Sequence, residues 1–590
     1  MREQQLLARR CREAAGTGGR TSVAARAGLE RPPSIRHRGY AVVLLLGLAL
    51  TSRTAFAGGN PVTVTTLLDE ETPGDGKCSL REAIKNINAQ GETTHGDCAT
   101  GLGSGSIDFD VSGTISLTLG VLSIGGVEPS LTIDGGNTIT VDGGGTNQIF
   151  DVDTLVYLKD LTITNGFAPN GGAASVIGAL RVTNCSFIGN NASALGGAIY
   201  ATDEGKLQFT DCIFNGNVAS QSGGAIYNGA SQGQMIVTTS TFNSNKASTA
   251  SGGAIYNDGG ATTINNSTFQ TNTANSRGGA VYNTRSMTVT ASTFSTNGTA
   301  GSTNGGAIGN GPGAATAVVN STFAGNLGFS GGGTFNSGGV TEIHFCTFSG
   351  NFANVGGAIF DQSSAPAGTA VGESILASSA GSGNCAPGGR IVDGNYNISD
   401  DHTCGFAGTG AEGQAVGDGV DPELDPAGLK DNGGPTATIA EQAGSPSVDA
   451  VSRQNCANVV GGMGTDQRGK PRPDPKDVLS GICDIGAYEL QQAPVPTATP
   501  TITETPIATQ TATRTPTGSP TVTPSPTAKS CIGDCNGTGT VTIDELIKMV
   551  NIALGGTPPS SCPNGIPDEP VTIDELIKGV NNALGGGCHK

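Results

Sequence analysis

The most explicit chemistry in this sequence lies in its last sixty residues. The run Asp534-Cys535-Asn536-Gly537-Thr538-Gly539-Thr540-Val541 sets oxygen donors at the spacing of a twelve-residue calcium loop. Asp534 falls at position 1, Asn536 at 3, Thr538 at 5, Gly539 at the sixth-position turn, the Thr540 carbonyl at 7 and Glu545 at 12. A hard divalent cation wants such oxygens. A weaker second version follows, with Asn564, Asp568 and Glu575, where Glu569-Pro570 stands in place of the turn glycine. The first loop carries only two formal carboxylates, because Thr538 replaces an acid, so modest affinity suited to a calcium-rich exterior is expected. Cys531, Cys535, Cys562 and Cys588 keep a second reading open, a helical hairpin stapled by disulfides. The spacing lacks the paired Cys-x2-Cys knuckles of a structural zinc site.

Acid–base chemistry is sparser. A polysaccharide lyase needs clustered carboxylates with a basic residue to take a proton, and a glycosidase needs two carboxylates flanking the scissile bond. Between residues 185 and 351 the acids are Asp203, Glu204, Asp211, Asp258 and Glu342 and the bases Lys206, Lys246, Arg277 and Arg285, at no common repeat position. Asp134, Asp142, Asp151 and Asp153 form the one acidic group worth testing, although Asp beside Gly is commonly a turn residue. There is no Trp, so sugar stacking would fall to Tyr200, Tyr227, Tyr256 and Tyr282.

The elements that must position these residues are set by a repeat. Phe187/Asn190, Phe214/Asn217, Phe242/Asn245, Phe269/Asn272, Phe294/Asn297, Phe323/Asn326 and Phe348/Asn351 recur, and Gly-Gly pairs keep the same step. The period is roughly 27 residues, in the range of a solenoid. Within each repeat the segments are short, β-branched and alternating, as in Met287-Thr288-Val289-Thr290, which excludes helical repeats. Three strands and three turns per period describe one rung of a parallel β-helix, with equivalent residues stacked about 4.8 Å apart. The Phe column and the column Ile199, Ile226, Ile255, Val281, Ile308 and Ile359 then point inward. The Asn column becomes a hydrogen-bonded ladder at a turn, and the Tyr row, alternating with buried Ile, lines an outer face. At these residues the chain resembles the polymorphic outer-membrane protein repeat of bacterial adhesins and autotransporter passengers. The resemblance implies a right-handed parallel β-helix, mainly β, over residues 106–375. It does not fix function, since the same coil carries adhesins and polysaccharide-cleaving enzymes alike.

Composition agrees with a chain of several parts. Of 590 residues, 94 are Gly and 14% are charged, with a formal charge of −18, which argues against nucleic acid as a partner. Residues 41–50 form an apolar run that follows Arg36-His37-Arg38 and precedes Ala55-Phe56-Ala57, the layout of a secretory signal. Residues 1–57 therefore read as leader and signal, and the product as secreted or cell-surface, with no transmembrane helix in the mature chain. An oxidising compartment permits disulfides, and Cys78/Cys98, Cys385/Cys404 and Cys456/Cys483 are close in sequence. Cys185 and Cys212 share a repeat position and read equally as a rung-to-rung bridge or two stacked thiols.

Residues 58–105 supply a cap for the first rung. Ser79 and Glu82 make a capping box ahead of a short amphipathic helix, and the string Cys78-Ser79-Leu80-Arg81-Glu82-Ala83-Ile84 resembles the opening of many secreted bacterial β-helix proteins. Over 376–490 the strings Asn395-Tyr396-Asn397-Ile398, Asn432-Gly433-Gly434-Pro435-Thr436, Gly444-Ser445-Pro446-Ser447, Asp466-Gln467-Arg468-Gly469 and Cys483-Asp484-Ile485-Gly486-Ala487-Tyr488 resemble a choice-of-anchor Q domain, which implies a closing domain followed by an attachment module. Residues 491–530 are a Thr/Pro-rich, extended linker. In 531–590, Val541-Thr542-Ile543-Asp544-Glu545-Leu546-Ile547 returns as Val571-Thr572-Ile573-Asp574-Glu575-Leu576-Ile577, with Leu546, Ile547, Val550, Ala553 and Leu554 at helical spacing. Two loop-helix units of this kind resemble a dockerin, which implies a small α-helical domain, bound calcium and a cohesin-like docking partner. The function expected is non-enzymatic adhesion or matrix binding, with extracellular glycans as candidate ligands. The alternative is a polysaccharide lyase or glycoside hydrolase recruited to a complex by its tail.

Overall fold

The computed structural model describes residues 61–491, apart from 102–104, 127–129, 203, 232, 365–367, 387–389, 412, 459–463 and 476–480, together with 534–535, 541–553 and 562. The leader, most of the linker and most of the tail lie outside the described residues. Residues up to 497 and those from 498 onward form separate units.

The first unit is a parallel β-solenoid in which every named strand pair is parallel and one rung pairs with the next in register. Strand pairing runs from Val62–Val64, which joins Gly105–Phe109, to Gly417–Asp418. The widest sheet is bent within each rung, as at Met235–Thr238 and Thr241–Asn243, and the bend is a left-handed residue: Asn184, Asp211, Thr239, Asn266, Ala291, Asn320, Phe345 and Glu373 all have φ of 47–55°. The Gly-Gly-Ala phrase has a double cause. Gly252 sits at φ 69°, which L side chains avoid, and a β-carbon on the next residue, Gly253, would lie 1.9 Å from the Gly279 carbonyl oxygen of the following rung.

The stacking is that expected from the period. Phe187, Phe214, Phe242, Phe269, Phe294, Phe323 and Phe348 are fully buried, their rings parallel within 6° and 4.4–4.9 Å apart. The Asn column is buried too. Asn245 takes the Asn217 main-chain N–H (3.0 Å) and side-chain amide (2.9 Å) on Oδ1, and its own amide donates to Asn272 Oδ1 (2.9 Å) and the Phe214 carbonyl (2.9 Å). The Tyr row departs from expectation at one end. Tyr200, Tyr227 and Tyr256 are half-buried on the outer face, but Tyr282 is buried. The next residue in its column is Gly309, which leaves room for the Tyr282 ring to tilt 55° from Tyr256.

Leu80–Ala89 covers the first rung with Leu80, Ile84 and Ile87. Its capping box is complete: Glu82 N–H donates to Ser79 Oγ (3.1 Å) and Ser79 N–H to Glu82 Oε2 (3.1 Å). Arg81 pairs with Asp69 (2.6 Å) and donates to the carbonyls of Gly120 and Val121, the bonds of a cap residue.

Two pairs of substitutions test the columns. Phe269→Ala should cost about 3–5 kcal/mol by leaving a cavity between two rings, and Tyr256→Ala far less. Asn245→Ala strips donors and acceptors from three buried partners and should cost at least about 3 kcal/mol, against under about 1 kcal/mol for the half-exposed Asn243→Ala. Denaturant midpoints of the four variants check the order, and equal losses within either pair would contradict the assigned faces.

Candidate functional site

Outward from the bent sheet, one position per rung is threonine five times running: Thr241, Thr268, Thr293, Thr322 and Thr347 pair in register. The first two hydroxyl-bearing side chains are half-exposed, while Thr293, Thr322 and Thr347 are buried. The cover is the chain's own segment beyond residue 420, folded back along the solenoid flank. Gln467 is seated between two rungs. Its Nε2 donates to Thr293 Oγ1 (2.9 Å), and its Oε1 accepts from Thr322 Oγ1 (2.6 Å). Thr293 Oγ1 donates to the Ala437 carbonyl (2.5 Å), Asn320 Nδ2 to the Thr465 carbonyl (2.9 Å), and Ala487 N–H to Thr347 Oγ1 (3.0 Å). Apolar packing adds to this, with Phe345, Ile375 and Ile398 against Val451, Cys483 and Ile485. The flank carries a cation over a ring as well, the Arg472 guanidinium lying 4.4 Å from the centre of Phe345.

Behind this seam is a buried charged network. Asp466 holds Arg468 (2.6 Å), and Glu489 holds Arg472 (3.2 Å). Asp484 accepts N–H groups from Asp449 (2.7 Å) and Leu490 (2.6 Å). Burial raises the carboxyls of Asp484 and Glu489 despite Arg472 beside them. Glu441 stands apart. It is buried, neither oxygen is held by a hydrogen bond of good geometry, and burial, with Asp484 adding and the Ser447 hydroxyl opposing, lifts its carboxyl well above the usual range. At the edge of the seam His344 Nδ1 meets Glu373 Oε2 at 2.7 Å, and Asn455 Nδ2 donates to Glu373 Oε1 (3.0 Å). Burial opposes charge on His344, but the Glu373 carboxylate more than offsets it and the imidazole is raised. The sequence reading missed this network. Its members are scattered from 344 to 489, and no spacing rule joins them.

The residues singled out beforehand fall as follows. Asp134, Asp142, Asp151 and Asp153 do not form one acidic group. Asp134 pairs with Lys159 (2.7 Å), and Asp142 accepts from the Gly144 N–H in a turn and from Asn165. Asp151 lies on a different sheet, raised by burial and by Asp153. Asp203 lies outside the described residues. Asp258 accepts from Tyr227 (3.3 Å) and Thr284 (2.8 Å). The Tyr row cannot offer ring faces to a sugar along its length, because Tyr200, Tyr227 and Tyr256 stack on one another at 5.6 and 5.1 Å. Its outward groups are hydroxyls, and burial, with Asp258 adding, pushes the Tyr256 phenol up to about 12.

Of the calcium-loop residues only Asp534 and Glu545 are described; Asn536, Thr538, Thr540, Asn564, Asp568 and Glu575 lie outside. Both described carboxylates are buried. Glu545 Oε2 accepts from Thr542 N–H (2.9 Å) and Oγ1 (2.8 Å), which caps the helix Ile543–Ala553. Met549 and Ile552 pack with the Cys535–Cys562 disulfide, while Val550, expected on the apolar face, is exposed. Among the described residues no group of three or more His, Cys, Asp or Glu side chains is placed to hold a metal ion, and the disulfide supplies a constraint of its own.

Five stretches match the Chlamydia polymorphic membrane protein repeat: residues 184–202, 211–229, 239–258, 266–284 and 345–362. They cover well under half of the chain, so the repeat region resembles that family. The gap from 285 to 344 contains Gly309 in the Tyr column and Gly333-Thr334 where other rungs have Ala-Ile. No curated protein and no solved structure matches the chain.

The cysteines divide cleanly. Cys78–Cys98, Cys385–Cys404 and Cys456–Cys483 are bridged. Cys185 and Cys212 are free, buried thiols, and Cys346 joins them at the same repeat position. They replace serines in a ladder where Ser240 N–H donates to Ser267 Oγ and Ser267 N–H to Ser292 Oγ. Burial pushes Cys212 up to about 11 and Cys346 up to about 12. Alkylation of the native protein followed by mass spectrometry should leave all three unmodified at neutral pH and modify them on unfolding in denaturant. Rapid labelling of Cys212 in the folded chain would contradict the ladder.

Proposed function

We propose that this protein is a cell-surface, adhesin-like β-solenoid, exported by its N-terminal signal, that binds extracellular ligands along its open flank. The observation that carries the reading is the outer face of hydroxyl and carboxamide side chains on two neighbouring rungs, Thr241, Asn243, Thr268 and Gln270, within a region that resembles the polymorphic membrane protein repeat. Such a face presents repeated hydrogen-bonding groups at rung spacing with little charge, which suits multivalent contact with glycans or matrix rather than bond cleavage. The segment 376–490 acts as the closing, choice-of-anchor Q-like domain, the Thr/Pro-rich stretch as a stalk, and the dockerin-like tail as the attachment module for a cohesin-like partner. A glycan and polysaccharide array probed with the mature protein should show binding without cleavage. Release of shortened or unsaturated oligosaccharides would instead establish a lyase or glycosidase delivered by the tail.

The attachment reading includes calcium on Asp534, Asn536, Thr538, Thr540 and Glu545. Calorimetric titration of the full chain should show calcium binding that Glu545→Gln weakens at least about tenfold, since the last loop position ordinarily supplies a bidentate carboxylate. Equal binding by both proteins would move the cation elsewhere, and no binding by either would leave the disulfides as what holds the tail.

A further inference from the structure

We propose that the described residues of 420–490 are a proton-gated strap, whose docking covers one half of the solenoid's threonine column and whose loosening exposes it. The covered and the open halves are one surface. Thr293, Thr322 and Thr347, taken by Ala437, Gln467 and Ala487, continue the column of Thr241 and Thr268 without a break in register. The outer column two residues further on shrinks along the same rungs: Ser295, Ala324, Ser349 and Ala377 follow Asn215, Asn243 and Gln270.

The gate is Glu441. A β-carbon at Gly486 would lie 2.8 Å from Thr347 Oγ1, 2.9 Å from Ile375 and 3.3 Å from Glu441 Oε1, so the carboxylate lies at the seam itself. Neither of its oxygens is held by a hydrogen bond of good geometry, and the Ser447 hydroxyl alongside, itself engaged with Ser445, only partly opposes the effect of burial. An ionised carboxylate in that setting is far more costly than a neutral one. The charged groups around it do not rescue the ion. From the 484–489 stretch come Asp484 and Glu489, both acidic, and from the 466–474 stretch Arg472, already held by Glu489, and Arg468, already held by Asp466. Asp449 lies behind, on Asp484's side of the seam. On the strand opposite Glu441, across the bridge from Leu424, are Glu423 and the Lys430-paired Asp425. The solenoid contributes the His344–Glu373 pair. Asp484 and Glu489 are raised by burial as well, but each accepts main-chain N–H groups that support an ion, and Glu441 is the member of the three without that support.

The sign follows. A carboxyl raised by folding binds a proton in the docked state that it releases when exposed, so docking is fully stabilised below the ordinary carboxylate range and weakens as pH rises. Asp484, Glu489 and His344, all raised at the seam, act in the same sense, and Asp425 on the strap, lowered by its bond to Lys430, acts in the opposite sense from a partly exposed position.

The test uses the full chain carrying Thr322→Cys, beneath the strap, or Thr268→Cys, at the equivalent open position. Maleimide labelling is followed at the introduced thiol by mass spectrometry, and the ratio of the two rates cancels ordinary thiol ionisation. From about pH 5 to about pH 8.5 the ratio should rise at least about tenfold, and Glu441→Gln should flatten the rise and keep the covered site slow at high pH. A flat ratio in the unaltered background overturns the proposal, and so does an undiminished rise with Glu441→Gln. Should Glu441→Gln lose the low-pH contrast between the two sites, so that the strap no longer docks, Glu441→Leu takes its place under the same two criteria.

Discussion

Everything in the first unit depends on the asparagine ladder. Each carboxamide from Asn190 to Asn351 is fully buried at a turn and must find donors and acceptors there, because a buried unpaired amide costs more than the bond it would make. Its partners are the next carboxamide and a phenylalanine carbonyl of the rung before, so the same residue is required at the same place in every rung. That requirement fixes the rung-to-rung step. The phenylalanine rings three residues earlier are then brought to 4.4–4.9 Å by the register, and the close approach of Gly253 to the Gly279 carbonyl follows from the same spacing.

A column so constrained inside leaves the outside free to vary, and variation there decides where things attach. The outer residues of the bent sheet shrink from Asn215, Asn243 and Gln270 to Ser295, Ala324 and Ser349 along the rungs whose threonines are covered. The left-handed bend takes residues of both kinds on either half. Asn184, Asp211 and Asn320 are ordinary occupants of that backbone region, whereas Thr239, Phe345 and Glu373 are not. Phe345 and Glu373 are buried under the strap, Phe345 by Arg472 and Glu373 through Asn455. Contacts with the docked segment offset the backbone strain at these two rungs.

How much of this was legible depended on whether a residue repeats. The Phe and Asn columns, the bridges Cys78–Cys98, Cys385–Cys404 and Cys456–Cys483, and the Ser79–Glu82 cap could be read because period, proximity or a three-residue spacing carries each. Cys346 was legible on the same grounds, two residues before Phe348 as Cys185 is before Phe187, but a lone cysteine among serines gave no pairing to look for. The burial of Tyr282 was not legible from its own rung, since it is set by the absence of a side chain at Gly309 one rung on. The strap was hidden for a deeper reason. Residues 420–490 have no period, and the change of outer neighbour from Gln270 beside Thr268 to Ser295 beside Thr293 carries no sign of which distant segment lies over it.

The second amide ladder shows how a repeating hydrogen-bond column can be ended. Asn228 donates to Asn257 Oδ1 (2.9 Å), Asn257 to Asn283 (2.8 Å) and Asn283 to Asn310 (3.2 Å), always toward the C-terminal rung. A ladder with one direction needs no acceptor at its start and no donor at its end. Its start shows the cost, because the preceding rung offers Ala201 and the Asn228 oxygen is left buried without a partner. Its end avoids the converse. After Asn336 the column closes with Asp361, whose acceptor-only carboxylate takes Asn336 Nδ2 (3.1 Å), Thr369 Oγ1 (2.6 Å) and the Ser363 N–H (2.6 Å). The change from Asn to Asp at this copy therefore ends the column on a side chain that only accepts, and the residue that breaks the repeat gathers the donors of Asn336, Thr369 and Ser363 at one carboxylate.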